Sequence, residues 1–164
     1  SMGKIVLTRI DNRMIHGQVA SGWIGKSNAG KIVVVDTVTA DNEMMRDLLF
    51  LAVPVGVKFS VYTREEAIKE YQKNEFGTET IMLIFKNIQT ACECYQAGIK
   101  FTSLQIGGTG VRKGAQVLEG PITITQEEYR QLEEIHAAGA EIYLQQTVQS
   151  KSTKWDEAKR KVKF

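Results

Sequence analysis

Lys4-Ile5-Val6-Leu7-Thr8-Arg9-Ile10-Asp11-Asn12-Arg13-Met14-Ile15-His16-Gly17-Gln18-Val19 joins a strand-like apolar run to a helix-like run through a short polar stretch. Arg9 to Val19 concentrate two arginines, an acid and one of the chain's two histidines. A histidine between a strand end and a helix start stands where open α/β sheets do their chemistry. Arg13 and the first helical N–H groups are the donors such a place offers an anion.

Outward from this stretch, strands and helices alternate. Ile32-Val33-Val34-Val35 is a continuous β-branched run, the pattern of a strand covered on both faces. Asp36 and Thr37 follow, and a helical pattern from about Asp41 to Ala52 places Met44, Met45, Leu48, Leu49 and Leu51 near helical spacing before Pro54 and Gly56. Val57 to Tyr62 alternates like a strand, and Thr63-Arg64-Glu65-Glu66 has the capping-box form for a helix running to about Asn74. Thr80 to Phe85 reads as a strand, Ile88 to Ala97 as a helix, and Ser103 to Ile106 as a strand that runs into Gly107-Gly108-Thr109-Gly110. Gly114, Gly120 and Pro121 predict a hairpin or antiparallel strand within Val111 to Thr123. Thr125-Gln126-Glu127-Glu128 opens another capped helix ending near Ala138-Gly139, and Glu141 to Gln145 reads as the last strand. The expected fold is a single α/β domain over residues 1–164, an open, mainly parallel sheet of about six or seven strands with helices on both faces.

Composition fits that class: 43% hydrophobic and 24% charged residues, with no internal repeat. No apolar run reaches membrane-spanning length and no charged-then-apolar signal opens the chain, which predicts a cytoplasmic protein. Ser1 reads as a residue left by tag removal. Net charge is only +2, but residues 151–164 hold six Lys/Arg against two acids, while the preceding 150 hold 15 against 17. That basic tail, with Trp155, Ala158, Val162 and Phe164, predicts a short solvated terminal helix; docking to a membrane surface or an acidic partner is the competing reading. Without a long basic stripe and interleaved aromatics, nucleic acid is not an expected partner.

Cys92 and Cys94, the only cysteines, fall two apart on a predicted helix and point to different faces. They are expected as free, buried or half-buried thiols, and no metal site is expected. Gly107 to Gly114 follows a strand, as phosphate-cradling loops do, but glycine at 114 replaces the Ser/Thr of a nucleotide P-loop. His136 lacks a histidine at i+4 and sits at a helix end, so it receives no chemical role.

His16 differs. Imidazole titrates near neutrality, so its free nitrogen can attack phosphorus, and the cationic product is a good phosphoryl donor. Arg13 supplies a planar fork of donors, Gly17 leaves room beside a phosphate, and Gln18 lies among the first helical N–H groups. Asp11 is placed to orient Arg13 or the imidazole. On the residues alone, a satisfied histidine with Arg13 in a solvent ion pair fits equally well.

Arg9 to Val19 resembles the active-site signature of the enzyme IIB component in the mannose/fructose/sorbose family of bacterial phosphotransferase systems. Lys31 to Asp36, Thr80 to Lys86, and Lys100 to Gly108 with Val111-Arg112-Lys113-Gly114 resemble further segments of that family, so the likeness spans nearly the whole chain. It implies a phosphocarrier, a protein-phosphohistidine–sugar phosphotransferase without cofactor. His16 would be phosphorylated on Nδ1 by a IIA phosphohistidine and would pass the group to a sugar held by the membrane components IIC and IID. The same likeness implies phosphate-binding and catalytic roles for Arg13 and Asp11, contributions from Gly17, Gln18, Gly107 and Gly108, and peripheral association with the inner membrane face through partners. Homo-oligomerisation is compatible with it. The competing implication is a regulatory binding module of the same fold that is phosphorylated but passes nothing to sugar. Two departures stand out: Asn12 replaces a second acid, and Thr109-Gly110 replaces a methionine after the glycine pair.

Overall fold

Ile32, Val33, Val34 and Val35 are all buried, yet they serve two cores, because successive strand residues face opposite ways. Val33 and Val35 join one core with Ile81, Leu83 and Phe85. Ile32 and Val34 join the other with Met82 and Ile84. This is the consequence of a parallel sheet covered on both faces. The computed structural model describes residues 3–164, so the reading of Ser1 lies outside the described residues.

The main sheet contains β1 (Lys4–Asp11), β2 (Lys31–Val35), β3 (Lys58–Tyr62), β4 (Thr80–Phe85), β5 (Ser103–Gly108), β8 (Glu141–Leu144) and β9 (Thr153–Lys154). Their order is β3-β2-β4-β1-β5-β8-β9. Every pairing is parallel except β8 with β9. Helices α1 (Gly17–Ser27) and α3 (Glu43–Leu51) contribute Ala20, Trp23 and Leu49 to one core. Helices α4 (Arg64–Asn74), α5 (Ile88–Gln96), α6 (Gln126–Ala137) and α7 (Trp155–Ala158) contribute to the other. The remaining pieces are α2 (Thr37–Ala40), a 3-10 turn at Lys159–Lys161, and the antiparallel hairpin of β6 (Gln116–Glu119) and β7 (Ile122–Ile124), which the Gly120-Pro121 pair announces.

The capping boxes form as read: Thr63 with Glu66 opens α4, and Thr125 with Glu128 opens α6. The helix expected over Asp41 to Ala52 forms as α3, capped by Asn42 through Met45, and an unexpected one-turn helix, α2, precedes it, capped by Asp36 through Thr39. On α3 only Leu49 is buried, while Met44, Leu48 and Leu51 are exposed. The strand at Glu141 is not the last, since β9 returns antiparallel beside it. That return seats Trp155 (0% exposed) and Ala158 in the core, so the basic tail is anchored rather than merely solvated.

The crossover from β1 to β2 passes over β4, and the crossover from β4 to β5 passes over β1 in the opposite direction. Strand β1 thus lies at the reversal of strand order, where the carboxyl ends of neighbouring strands open a crevice. Asp11 ends β1 opposite Gly108, the last residue of β5.

Candidate functional site

Beyond Asp11 the chain turns sharply. Met14 N–H donates to the Asp11 carbonyl at 2.9 Å, and Arg13 N–H donates to Asp11 Oδ1 at 3.0 Å. Met14 has φ of 60°, a left-handed conformation uncommon for a non-glycine residue. Its buried side chain joins the core of α1 and α3, with its sulfur 3.6 Å from Thr39 Oγ1. The turn delivers His16 to the N-cap position of α1, in extended conformation with φ −122° and ψ 98°. His16 is exposed and its side chain caps nothing. Its carbonyl accepts the first intrahelical bond, from Ala20 N–H at 3.0 Å. The N–H groups of Gly17, Gln18 and Val19 therefore have no intrahelical acceptor and no side-chain cap, and no acid occupies the first turn. An uncapped helix start beside an imidazole offers free N–H donors at the positive end of the helix dipole.

Arg13 is half exposed, with Nε 3.8 Å from Asp11 Oδ1, so its guanidinium retains donors for a ligand. Asp11, 1% exposed, does not orient the imidazole: among the described residues no hydrogen bond joins the two. Its Oδ2 instead faces Arg9, a side chain also 1% exposed. Arg9 Nε and Nη2 donate to Asp11 Oδ2 at 3.3 and 3.1 Å, Nη1 to Gln105 Oε1 and the Gln145 carbonyl, and Nη2 to the Gln146 carbonyl. Burial draws the Arg9 pKa below the ordinary guanidinium value, and Asp11 opposes that shift.

The glycine pair takes its reasons from this cluster. A Cβ on Gly107 would meet Arg9 Cζ at 2.1 Å, so glycine here makes room for the buried guanidinium. Gly108 accepts the Asn12 N–H at 3.0 Å. The N–H groups of Thr109 and Gly110 both donate to the Pro121 carbonyl, at 3.2 and 3.1 Å, so those two are spent on the hairpin rather than free for phosphate. A pocket of about 160 Å³ opens beside Asn12, lined also by Lys86, Asn87, Thr109 and Arg112.

Residues 5–164 match the model of the PTS system sorbose subfamily IIB component. The chain belongs to that family. This IIB chain is 30% identical over 141 residues to the sorbose-specific EIIB component of Klebsiella pneumoniae, covering 86% of each. It is 30% identical over 138 residues to the mannose-specific EIIAB component of Escherichia coli K12, covering 84% of this chain but 43% of that protein. It thus spans less than half the length of that relative. Its fold superimposes on the IIBSor domain of the Klebsiella pneumoniae sorbose permease with TM-score 0.91 at 27% identity, covering 98% and 99% of the two chains. The structure of manxB from Thermoanaerobacter tengcongensis gives 0.91 at 31% identity, covering 98% and 97%.

Of the residues singled out in the sequence, the IIB fold gathers Asp11 and Arg13 in one turn, sets His16, Gly17 and Gln18 at one helix start, and pairs Asp11 with Gly108. Gly107 lies on the Arg9 side. In the sequence Arg9 itself reads only as one of the two arginines of the stretch Arg9 to Val19, whereas it lies inside β1. An arginine there demands a buried partner, and Asp11 at i+2 shares its strand face. Cys92 and Cys94 are free and buried, as expected. His136 Nδ1 lies 3.1 Å from the Ala140 carbonyl, consistent with its reading as a helix-end residue.

Proposed function

We propose that this IIB chain, read as one domain over residues 1–164, is a phosphocarrier that accepts a phosphoryl group on His16 and delivers it to a sugar during uptake. The observation carrying this reading is the placement of His16: exposed, at the uncapped start of α1, beside the half-exposed Arg13. In the first step a lone pair of the neutral imidazole, Nδ1 by family likeness, forms a bond to phosphorus. The N–P bond to a IIA phosphohistidine breaks, and its electron pair returns to the donor ring. The phosphoryl oxygens face Arg13 and the N–H groups of Gly17, Gln18 and Val19. In the second step a sugar hydroxyl oxygen forms the new O–P bond as the N–P bond to His16 breaks. The hydroxyl proton leaves to water and His16 returns to neutral imidazole. Charge spread over the three phosphoryl oxygens is what such positioned donors stabilise.

The partners of this reading are a IIA phosphodonor and the membrane components IIC and IID, which place the chain at the cytoplasmic face of the membrane. Among the described residues no helix is long and apolar enough to cross a membrane.

Incubation with phosphoenolpyruvate, the general phosphotransferase proteins and a panel of IIA domains should add about 80 Da to the chain. The adduct should be labile in acid and stable in alkali. His16→Ala should remove it, and phosphorylation of that variant like wild type would sink the proposal. Arg13→Ala should keep the fold and slow transfer. Discharge of the adduct by sugar in the presence of IIC and IID separates delivery to sugar from a regulatory module, which would keep its phosphoryl group.

A further inference from the structure

A buried carboxylate beside a phosphoryl site needs a reason, because its charge repels the group the site receives. Asp11 earns its place through shape: Oδ1 accepts the Arg13 N–H at 3.0 Å and fixes the turn that precedes His16. Its charge is answered elsewhere. Oδ2 points inward to Arg9, whose guanidinium is held by the Gln105 side chain and the Gln145 and Gln146 carbonyls and lies 5.5 Å from the Trp23 ring centroid. Among the described residues Asp11 is the only acid that contacts Arg9, and the other partners of the fork are neutral. Arg9 and Asp11 therefore cancel as a pair, and Arg13 and the α1 amides keep their positive character for a ligand.

We propose that Arg9 is a positioning residue of the phosphoryl site, the fixed counter-ion that lets the Asp11 carboxylate shape the histidine turn without repelling the phosphoryl group. This rests on the phosphocarrier reading of His16. Arg9 touches neither substrate nor reacting atoms; it acts through Asp11. A purely architectural arginine would give any neutral replacement the same defect, whatever stands at position 11. A counter-ion makes the defect depend on the charge at that position.

The discriminating pair is Arg9→Gln against Arg9→Gln combined with Asp11→Asn. The first leaves a carboxylate uncompensated. The second removes both charges while the asparagine oxygen still accepts the Arg13 N–H. Phosphorylation of the His16 peptide is followed by acid-labile mass gain, using phosphorylated IIA as donor and, free of any partner, potassium phosphoramidate. Melting curves are recorded on each protein. Arg9→Gln should slow the reaction about 10- to 100-fold, the range one unit charge several ångströms away imposes at an effective dielectric near 20. The double variant should recover at least about half of that loss on a logarithmic scale, with rates read well below both melting points, since removing the lone buried charge also restores stability. A double variant as slow as Arg9→Gln, or slower, overturns the proposal. If Arg9→Gln does not fold, Arg9→Lys decides. It keeps the charge but loses the fork, so its rate should stay within about threefold of wild type despite a lower melting point. A folded Arg9→Lys slowed tenfold or more, roughly one pKa unit's worth of free energy, also overturns the proposal. His16→Ala is run in parallel. If it is phosphorylated like wild type the phosphocarrier reading falls; if it is silent and the double variant fails to recover, only the role of Arg9 falls.

Discussion

Gly107→Ala is the smallest change that tests the buried cluster behind the histidine turn. A methyl group there would sit 2.1 Å from Arg9 Cζ and Nη2 and 2.5 Å from Nη1, against an ordinary contact of 3.4 to 4 Å. The guanidinium must move by more than an ångström, and it has little free space: it is 1% exposed and lies 5.5 Å from the Trp23 ring centroid. Moving it gives up bonds to the Gln145 and Gln146 carbonyls at 2.9 and 2.7 Å and loosens the pair with Asp11 at 3.1 Å. Overpacking alone costs about 1–3 kcal/mol, and breaking a buried ion pair about 3–5. These costs overlap, because one movement causes both, so the expected loss is about 3–5 kcal/mol. For a chain of this size that is a fall in melting temperature of roughly 6–20 °C. Urea unfolding followed by tryptophan fluorescence and circular dichroism measures it, with an unchanged m-value showing that the unfolded state is not the cause. In an Arg9→Ala background the methyl group meets no guanidinium and most of the cost should vanish. A loss under about 1 kcal/mol, or one undiminished when Arg9 is absent, would refute the packing argument.

Gly25 is the contrasting case: it lies exposed inside α1, and a Cβ there meets nothing within 4 Å. Gly25→Ala should therefore stabilise the protein by about 0.5–1 kcal/mol in the same urea assay, and a destabilised variant would contradict that placement. Burial pushes both thiols up, Cys94 to about 12. An aromatic disulfide reagent at pH 8 should react slowly with the native protein and release two equivalents only after denaturation; rapid native release of both would show the helix face misplaced. The sign for stability follows from the same shift. Below the ordinary thiol pKa of about 8.5 both states keep the proton and the contribution is complete. As pH rises from there toward the folded value, only the unfolded chain ionises, so wild type should lose stability faster than Cys94→Ala over that alkaline window. Parallel pH profiles for the two proteins would refute it.

The strands were legible wherever a whole run is apolar. Ile32 to Val35 and Ile81 to Phe85 carry two cores at once, and a run with no polar face has no other stable place than inside a covered sheet. Capping boxes read equally well, since Thr63-Glu66 and Thr125-Glu128 satisfy their helix starts with local atoms alone. What escaped was set by distant partners. The two-residue β9 is defined by its pairing with β8, and α2 is one turn that Asp36 creates through Thr39. Met44, Leu48 and Leu51 repeat at helical spacing and still face outward, because periodicity tells which residues share a face and not what covers it. His16, Asp11 and Arg13 were legible as a candidate site from local chemistry. Arg9 was not, because its role depends on Gln105, Gly107 and two carbonyls more than 90 residues away in the chain.

Asn12 and Thr109-Gly110 meet in space. Asn12 N–H bonds the Gly108 carbonyl, and its side-chain amide lies over Gly110, where a Cβ would sit 3.1 Å from Nδ2. Gly110 has φ of +83°, so a side chain there is disfavoured by the backbone as well as by the amide. Thr109 turns inward, its hydroxyl donating to the Thr123 carbonyl and accepting the Thr123 N–H at 2.7 Å, which ties the loop to β7. Changing one site thus changes what the other requires: a bulkier residue at 110 would displace Asn12, and an acid at 12 would bring a second carboxylate to the pocket that Lys86 and Arg112 line. Arg112 is already committed to Glu128, and Arg9 to Asp11. Among the described residues, an added carboxylate would have Lys86 as the cation of that wall not already paired with an acid. Asparagine at 12 keeps the bond to the β5 end and adds no charge to that wall, so positions 12 and 110 are expected to respond to substitution as a coupled pair.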